Sequence, residues 1–174
     1  MDVRDKMQTY KYELMYKIGT NIKNGGGGVR YEDFEPKYTP QTMLAMGVFE
    51  GKYMNDGREE FPKEWYVKAK ITGSGPPDPS LNYFKVKSRL SLQEWRKRKW
   101  VPVHAKDRDV RGWFQWYCRY YLGRRIPEVD AIQIKRWKAF ARHYAQVKKH
   151  SKGDLSKRVK QRQALLQWSW DCKI

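Results

Sequence analysis

Residues 111–125 read RGWFQWYCRYYLGRR, and this segment decides the fold that the sequence predicts. At the spacing of an α-helix, its aromatic side chains cover almost the whole circumference and leave one polar stripe of Arg111, Gln115 and Arg119. A helix that is apolar on nearly every side belongs in a protein interior. We therefore predict that the segment is the central aromatic helix of a mainly α protein, a compact single-domain helical bundle with long irregular loops in the first half.

The polar stripe of this helix needs partners, because a buried guanidinium or amide without a hydrogen bond costs about 1 to 3 kcal/mol. The candidate partners are carboxylates near the turn at Asn55, Asp56 and Gly57. This turn lies within residues 1–84, which together carry no net charge. An ordinary turn with ion pairs to the stripe is favoured over catalysis, although the same groups could line a pocket. The candidate catalytic residues are Asp56, Glu60 and Asp171, and the buried polar or pocket residues are Asn55, Arg111, Gln115, Arg119 and His143.

Other helices are predicted from caps and apolar spacing. Thr39 and Pro40 begin a short helix that Gly47 ends. Pro127 suits the first turn of one long helix that runs to about Lys149. A last helix is predicted for residues 155–170.

The net charge of +18 is concentrated in one part of the chain. Residues 1–84 hold 12 Lys and Arg against 12 Asp and Glu, whereas residues 85–162 hold 24 against 6. Such a distribution predicts a strongly positive face, whose natural partners are phosphate polyanions. The candidate nucleic-acid-binding residues are Arg96, Lys97, Arg98, Lys99, Arg124, Arg125, Lys135, Lys138, Arg142, Lys149, Arg158 and Arg162.

Four consecutive glycines at residues 25–28 divide the chain. Glycine runs behave as flexible linkers. The predicted organisation is an N-terminal helical arm at residues 1–24, a glycine-rich linker and acidic loop at 25–38, and a basic helical domain at 39–174. The arm packs on this chain or docks on a partner subunit.

Three segments together resemble a family of short proteins found in microbes, fungi and large viruses or phages. They are RGWFQWYCRYYLGRR, then IKRWKAFARH at residues 134–143, then KQRQALLQW at residues 160–168 before Asp171. The resemblance extends from about Gly47 to the end of the chain. It implies a recurrent single fold, and it carries no activity and no catalytic residue to this chain.

The sequence contains no recognised catalytic motif and no metal-ligand spacing, so we predict no cofactor and no metal. It has no apolar run long enough to span a membrane and does not open as a signal peptide, which predicts an intracellular protein with no membrane partner.

The leading hypothesis is a nucleic-acid-binding protein, with DNA favoured over RNA, that contacts phosphates through a basic helical face and stacks aromatic rings on bases. The alternatives are an enzyme on nucleic acid, with base-modifying, base-excising or nuclease activity, and an assembly protein of a nucleoprotein particle.

Overall fold

Helices account for all the regular secondary structure in the part of the chain that the structure describes. The structure is a computed structural model, and it describes residues 33–52, 58–87, 92–98 and 109–174. These ranges contain no β-strand, which confirms the predicted mainly α class. The helices are α1 (Pro40–Met46), α2 (Leu92–Lys97), α3 (Trp113–Tyr121), α4 (Pro127–Ala139), α5 (Ala141–Ser151) and α6 (Val159–Gln167), with 3₁₀ turns at Lys63–Tyr66 and Pro79–Leu81. The predicted arm at residues 1–24 lies outside the described residues.

Helix α3 is the central helix, as its composition predicts. Seven of its nine residues are buried, and at its end Tyr121 is exposed. Gly112 precedes the first turn, and Gly123 follows the helix with a φ of 99°, a left-handed conformation that glycine adopts without strain. The aromatic segment therefore forms the core helix, and its start and end are set by two glycines.

Aromatic rings from α3 and α4 pack around Phe34. Its ring centroid lies 5.0 to 6.3 Å from those of four residues of α3 and of Trp137 on α4. Beside this cluster, Trp168 stacks on Phe140 at 4.6 Å, and Trp170 stacks on Trp137 at 4.6 Å. Edge-to-face and offset-stacked pairs contribute about 0.5 to 1.5 kcal/mol each beyond the area they bury. The cluster thus joins α3, α4 and the C-terminal segment into one core.

Two buried amide side chains fix the irregular segment between α1 and α2. Gln163 on α6 donates to the carbonyl oxygens of Gly47 and Val48, both at 3.2 Å, and its own oxygen accepts the Phe84 amide at 3.1 Å. Asn82 accepts the Glu50 amide at 2.7 Å. Buried backbone groups need such partners where regular structure does not supply them. Residues 47–52 and 82–86 are therefore anchored by side chains.

Helix α1 has the predicted boundaries. The Thr39 side chain accepts the Thr42 amide, and Gly47 ends the helix with a φ of 81°. A Cβ atom at Gly47 would lie 1.9 Å from the Leu81 carbonyl oxygen, so only glycine allows the two segments to approach this closely.

The C-terminal helices differ from the prediction in two places. The single helix expected from Pro127 to about Lys149 is instead α4 and α5, which meet at Phe140, whose amide bonds to the Trp137 carbonyl three residues back. The helix expected at residues 155–170 is only Val159–Gln167. The Asp154 carboxylate accepts both the amide and the hydroxyl of Ser156, and this local bonding competes with helix formation.

Candidate nucleic-acid interface

Many exposed Lys and Arg side chains lie on the three C-terminal helices and the turn between α5 and α6. Residues 131–162 contain eleven Lys and Arg and a single acid, Asp154. Ten of the eleven cations are exposed to solvent. We call these ten residues the basic surface: Lys135, Arg136, Lys138, Arg142, Lys148, Lys149, Lys152, Lys157, Arg158 and Lys160.

Helix α5 contributes the most exposed part of the basic surface. Of its eleven residues, Val147 and Ser151 alone are buried. Its cations Arg142, Lys148 and Lys149 form no salt bridge with an acid in the described ranges. Lysines at the C-terminal end of a helix also interact favourably with the helix dipole. The helix therefore presents three cations that the fold itself does not neutralise.

His143 lies half-buried on α5, beside the basic surface. Its ring centroid is 5.5 Å from that of Phe140. Burial and, secondarily, the charge of Arg158 lower the pKa of His143 below its usual value of 6.5. The imidazole is therefore neutral near pH 7, and it adds a hydrogen-bonding group to the surface without adding charge.

Arg162 was predicted to contact phosphate, and the structure contradicts this prediction. Its side chain is 0% exposed. Nη2 donates to Ser151 Oγ at 2.7 Å and to the Asp154 carbonyl oxygen at 3.0 Å. Nη1 donates to the Cys172 carbonyl oxygen at 2.8 Å, and Nε donates to that of Lys157 at 2.9 Å. The guanidinium thus holds the turn between α5 and α6 from inside.

The turn that Arg162 holds carries part of the basic surface. Lys152 and Arg158 have φ values of 51° and 55°, which place both residues in the left-handed region. The Arg158 guanidinium donates to Gln161 Oε1 at 2.6 Å, and Lys157 lies 3.6 Å from the Asp154 carboxylate. These interactions are exposed, and exposed ion pairs contribute at most about 1 kcal/mol. An anionic partner could replace them at little cost.

Other predicted phosphate contacts have different environments. Arg96, Lys97 and Arg98 are exposed on or just after α2, where Arg98 pairs with Glu94 at 3.5 Å. Lys138 pairs with Asp33 at 2.9 Å. Lys99 lies outside the described residues.

Arg124 and Arg125 belong to the end of α3 more than to an open surface. Arg124 donates to the Asp109 carboxylate at 2.6 Å. The Arg125 guanidinium lies 3.5 Å from the centre of the Tyr120 ring and donates to the Tyr120 carbonyl oxygen at 2.6 Å. Both side chains are partly buried, and the Arg125 guanidinium satisfies a carbonyl oxygen at the end of the helix.

Two residues of the predicted polar stripe, Gln115 and Arg119, lie on α3 and meet the predicted carboxylate, whereas Arg111 precedes the helix. Gln115 Nε2 donates to Glu60 Oε2 at 3.2 Å, and Arg119 forms a salt bridge with the same carboxylate. Gln115 Oε1 accepts the Arg111 amide at 2.9 Å. For Glu60 the favoured interpretation, an ion pair to the stripe, is confirmed. Asn55 and Asp56 lie outside the described residues, so their part in this network stays a prediction.

Asp109 completes the network, and sequence reasoning missed this role. Its side chain is 4% exposed and bonds to Arg119 at 3.0 Å as well as to Arg124. Burial acts to lower the pKa of Arg119, but the hydrogen bond and ion pair with Glu60 and the interaction with Asp109 together outweigh it, so the pKa is raised. Asp109 does not cap α3, because Gly112 occupies the N-cap position. The sequence feature that could have revealed this role is an acid just before a buried helix that has two arginines near its end.

Two predicted site residues do not join this network. His143 packs near Phe140 and Arg158, as described above. Asp171 accepts the Lys173 amide at 2.9 Å, lies 3.5 Å from Lys37 Nζ, and accepts the Tyr38 hydroxyl at 3.4 Å. The candidate catalytic acids Glu60 and Asp171 therefore lie in separate hydrogen-bonding environments.

The cysteines and the acids offer no metal centre in the described ranges. Cys118 and Cys172 are both buried free thiols, and burial raises the pKa of each. No group of three or more His, Cys, Asp or Glu side chains in those ranges could hold a metal ion.

Comparison with known proteins assigns neither a family nor a function. No family model, curated protein or solved structure matches the chain. Among the described helices, none is long and apolar enough to cross a membrane.

Proposed function

We propose that the protein binds nucleic acid through the basic surface of α4, α5 and the start of α6. One observation carries the proposal: residues 131–162 expose ten cations and contain one acid. A merely solvated charged face usually alternates sign, and this one does not. Binding that neutralises phosphates releases condensed counterions, so a surface of this kind is suited to a polyanion.

Phosphate contacts position a protein on nucleic acid without reading sequence. Lysine and arginine side chains on an exposed helix such as α5 make contacts of this type. DNA remains favoured over RNA as the partner, and the proposed contact is sequence-tolerant because it is made to phosphates. The turn between α5 and α6, which Arg162 holds from inside, carries Lys157 and Arg158.

The test is the salt dependence of binding to matched duplex DNA, single-stranded DNA and RNA. The Arg142→Gln, Lys148→Gln, Lys149→Gln triple variant removes the α5 cations. A plot of log K against log salt has a negative slope, and we expect it to become shallower by about 0.9 for each duplex phosphate that the variant no longer neutralises. We also expect the affinity at low salt to fall more than tenfold. Fluorescence anisotropy of labelled strands measures both quantities.

The matched control is the Lys63→Gln, Lys85→Gln, Lys87→Gln triple variant, which removes the same charge from exposed positions outside the basic surface. We expect it to retain most of the wild-type slope. Equal losses of affinity in the two triple variants would mean that net charge alone drives binding. No salt-dependent binding to any of the three nucleic acids would overturn the proposal.

A further inference from the structure

A cavity of about 390 Å³ lies between α1 and the segment that follows the first 3₁₀ turn. It is separate from the basic surface and shares no residue with it. Its lining includes Gln41, Thr42 and Met46 from α1, then Lys68, Lys70 and Tyr83. Small-molecule sites commonly have volumes of about 300 to 1,000 Å³, so this cavity has room for a compact ligand.

Backbone and side-chain hydrogen bonds hold the walls of this cavity together. The Lys70 amide donates to the Leu44 carbonyl oxygen at 3.1 Å, and the Tyr83 amide donates to that of Gly47 at 3.0 Å. Gln41 Nε2 donates to the Glu64 carbonyl oxygen at 3.2 Å. Both walls are therefore attached to α1 and its C-terminal glycine.

The cavity combines positive charge with an aromatic ring. Lys68 and Lys70 are exposed, and no acid in the described ranges forms a salt bridge with either. Tyr83 is exposed as well, and its ring packs edge-to-face on Phe84 at 4.9 Å. Lys173 Nζ lies 5.2 Å from the centre of the Tyr83 ring. The lining thus contains two lysines and an exposed aromatic ring, and a third lysine lies over that ring.

We propose that this cavity binds a nucleoside phosphate, with the base against Tyr83 and the phosphate at Lys68 and Lys70. Lysine binds phosphate as a point charge, and an aromatic ring stacks any base because every base has a π-face. The Gln41 amide and the Thr42 hydroxyl supply polar groups at the α1 wall. The same ligand chemistry is offered by a free nucleotide and by the unpaired terminal nucleotide of a strand.

The experiment is isothermal titration of the full chain with adenosine, guanosine, cytidine and uridine 5′-monophosphates. The corresponding nucleosides, inorganic phosphate and a 5′-phosphorylated tetranucleotide are titrated in parallel. We expect at least one nucleotide to bind about tenfold or more tightly than its nucleoside and than inorganic phosphate. Tighter binding of the tetranucleotide identifies the strand terminus as the source, and tighter binding of the monophosphate identifies the free nucleotide.

Variants assign the binding to the cavity. The Lys68→Gln, Lys70→Gln double variant should weaken nucleotide binding by about tenfold or more, because it removes both phosphate-binding charges. Tyr83→Leu should weaken it by about fivefold or more, because it removes the stacking ring. Lys63→Gln with Lys87→Gln is the control, since both lysines are exposed and neither lines the cavity.

The result distinguishes this site from the basic surface. The α5 triple variant should bind mononucleotide as wild type does, and the Lys68/Lys70 double variant should retain the salt-dependent binding of long duplex DNA. Three results would overturn the inference: no nucleotide binding up to about 10 mM in either form, binding of inorganic phosphate as tight as that of every nucleotide, or wild-type affinity in the double variant.

Discussion

Replacing Arg162 with methionine should lower the free energy of unfolding by about 3 to 5 kcal/mol. The guanidinium is fully buried and donates to four acceptors, three of them carbonyl oxygens. Methionine fills a similar length of space but donates to none of them. The acceptors on the turn between α5 and α6, and the carbonyl oxygen of Cys172, would then be buried without their partner.

Urea unfolding followed by tryptophan fluorescence measures this change. The control is Arg142→Met, which makes the same substitution at an exposed position on α5 and should change the free energy of unfolding by no more than about 0.5 kcal/mol. A change below about 1 kcal/mol in Arg162→Met would contradict the structural role. A stable variant with a reduced salt slope for nucleic-acid binding would instead return Arg162 to the phosphate-binding residues.

The burial of Arg162 shows where prediction from sequence stops. Arg162 follows Arg158 by four residues and lies within a run of cations, so its spacing places it on the same helical face as exposed residues. Its acceptors come from the turn before the helix and from Cys172, ten residues later. Charge counts and periodicity describe one helix at a time, and therefore cannot distinguish a guanidinium in solvent from one enclosed by a turn and a chain terminus.

The central helix was predictable because its signal is local. An apolar circumference with a narrow polar stripe leaves α3 no stable place except the core. A buried polar stripe needs hydrogen-bonding partners, which predicted a carboxylate beside it. Glu60 is that carboxylate. Asp109 was not found, because its two arginine partners depend on how the chain enters α3 and leaves it.

The break between α4 and α5 was not predictable from the apolar pattern. The spacing from Ile134 to Val147 continues across Phe140 without a Gly or Pro to mark a boundary. The break coincides with the stacking of Phe140 and Trp137 on Trp168 and Trp170. Tertiary packing of aromatic rings at this point outweighs the continuous helical pattern.

Trp116→Phe should lower the free energy of unfolding by about 2 to 4 kcal/mol at pH 7. Trp116 is fully buried, and its Nε1 donates to Asp130 Oδ1 at 2.8 Å. Asp130 is buried too, and its other oxygen accepts the Ile126 amide at 2.9 Å. Phenylalanine retains an aromatic ring in the core but removes one of the two donors to a buried carboxylate.

The size of this loss of stability should depend on pH. Burial raises the pKa of Asp130 above its usual 3.8, while the bonds from Trp116 and Ile126 and the charges of Arg125 and Arg124 act in the opposite direction. Without the indole donor, the folded-state pKa rises further. A raised folded-state pKa contributes stability that is complete below the unfolded-state pKa and is lost as pH rises through the folded-state value.

As pH rises, the Trp116→Phe variant therefore loses more stability than wild type does. The difference in the free energy of unfolding between the two proteins should be larger at pH 7 than at pH 5. Urea unfolding at the two pH values measures this difference.

Trp170→Phe is the control, because the Trp170 Nε1 donates to the neutral Trp137 carbonyl oxygen. The destabilisation that this substitution causes should not vary with pH. A Trp116→Phe destabilisation of the same size at both pH values would mean that the indole acts by packing alone. In an Asp130→Asn background the pH dependence of the Trp116→Phe effect should disappear, since the amide does not titrate in this range.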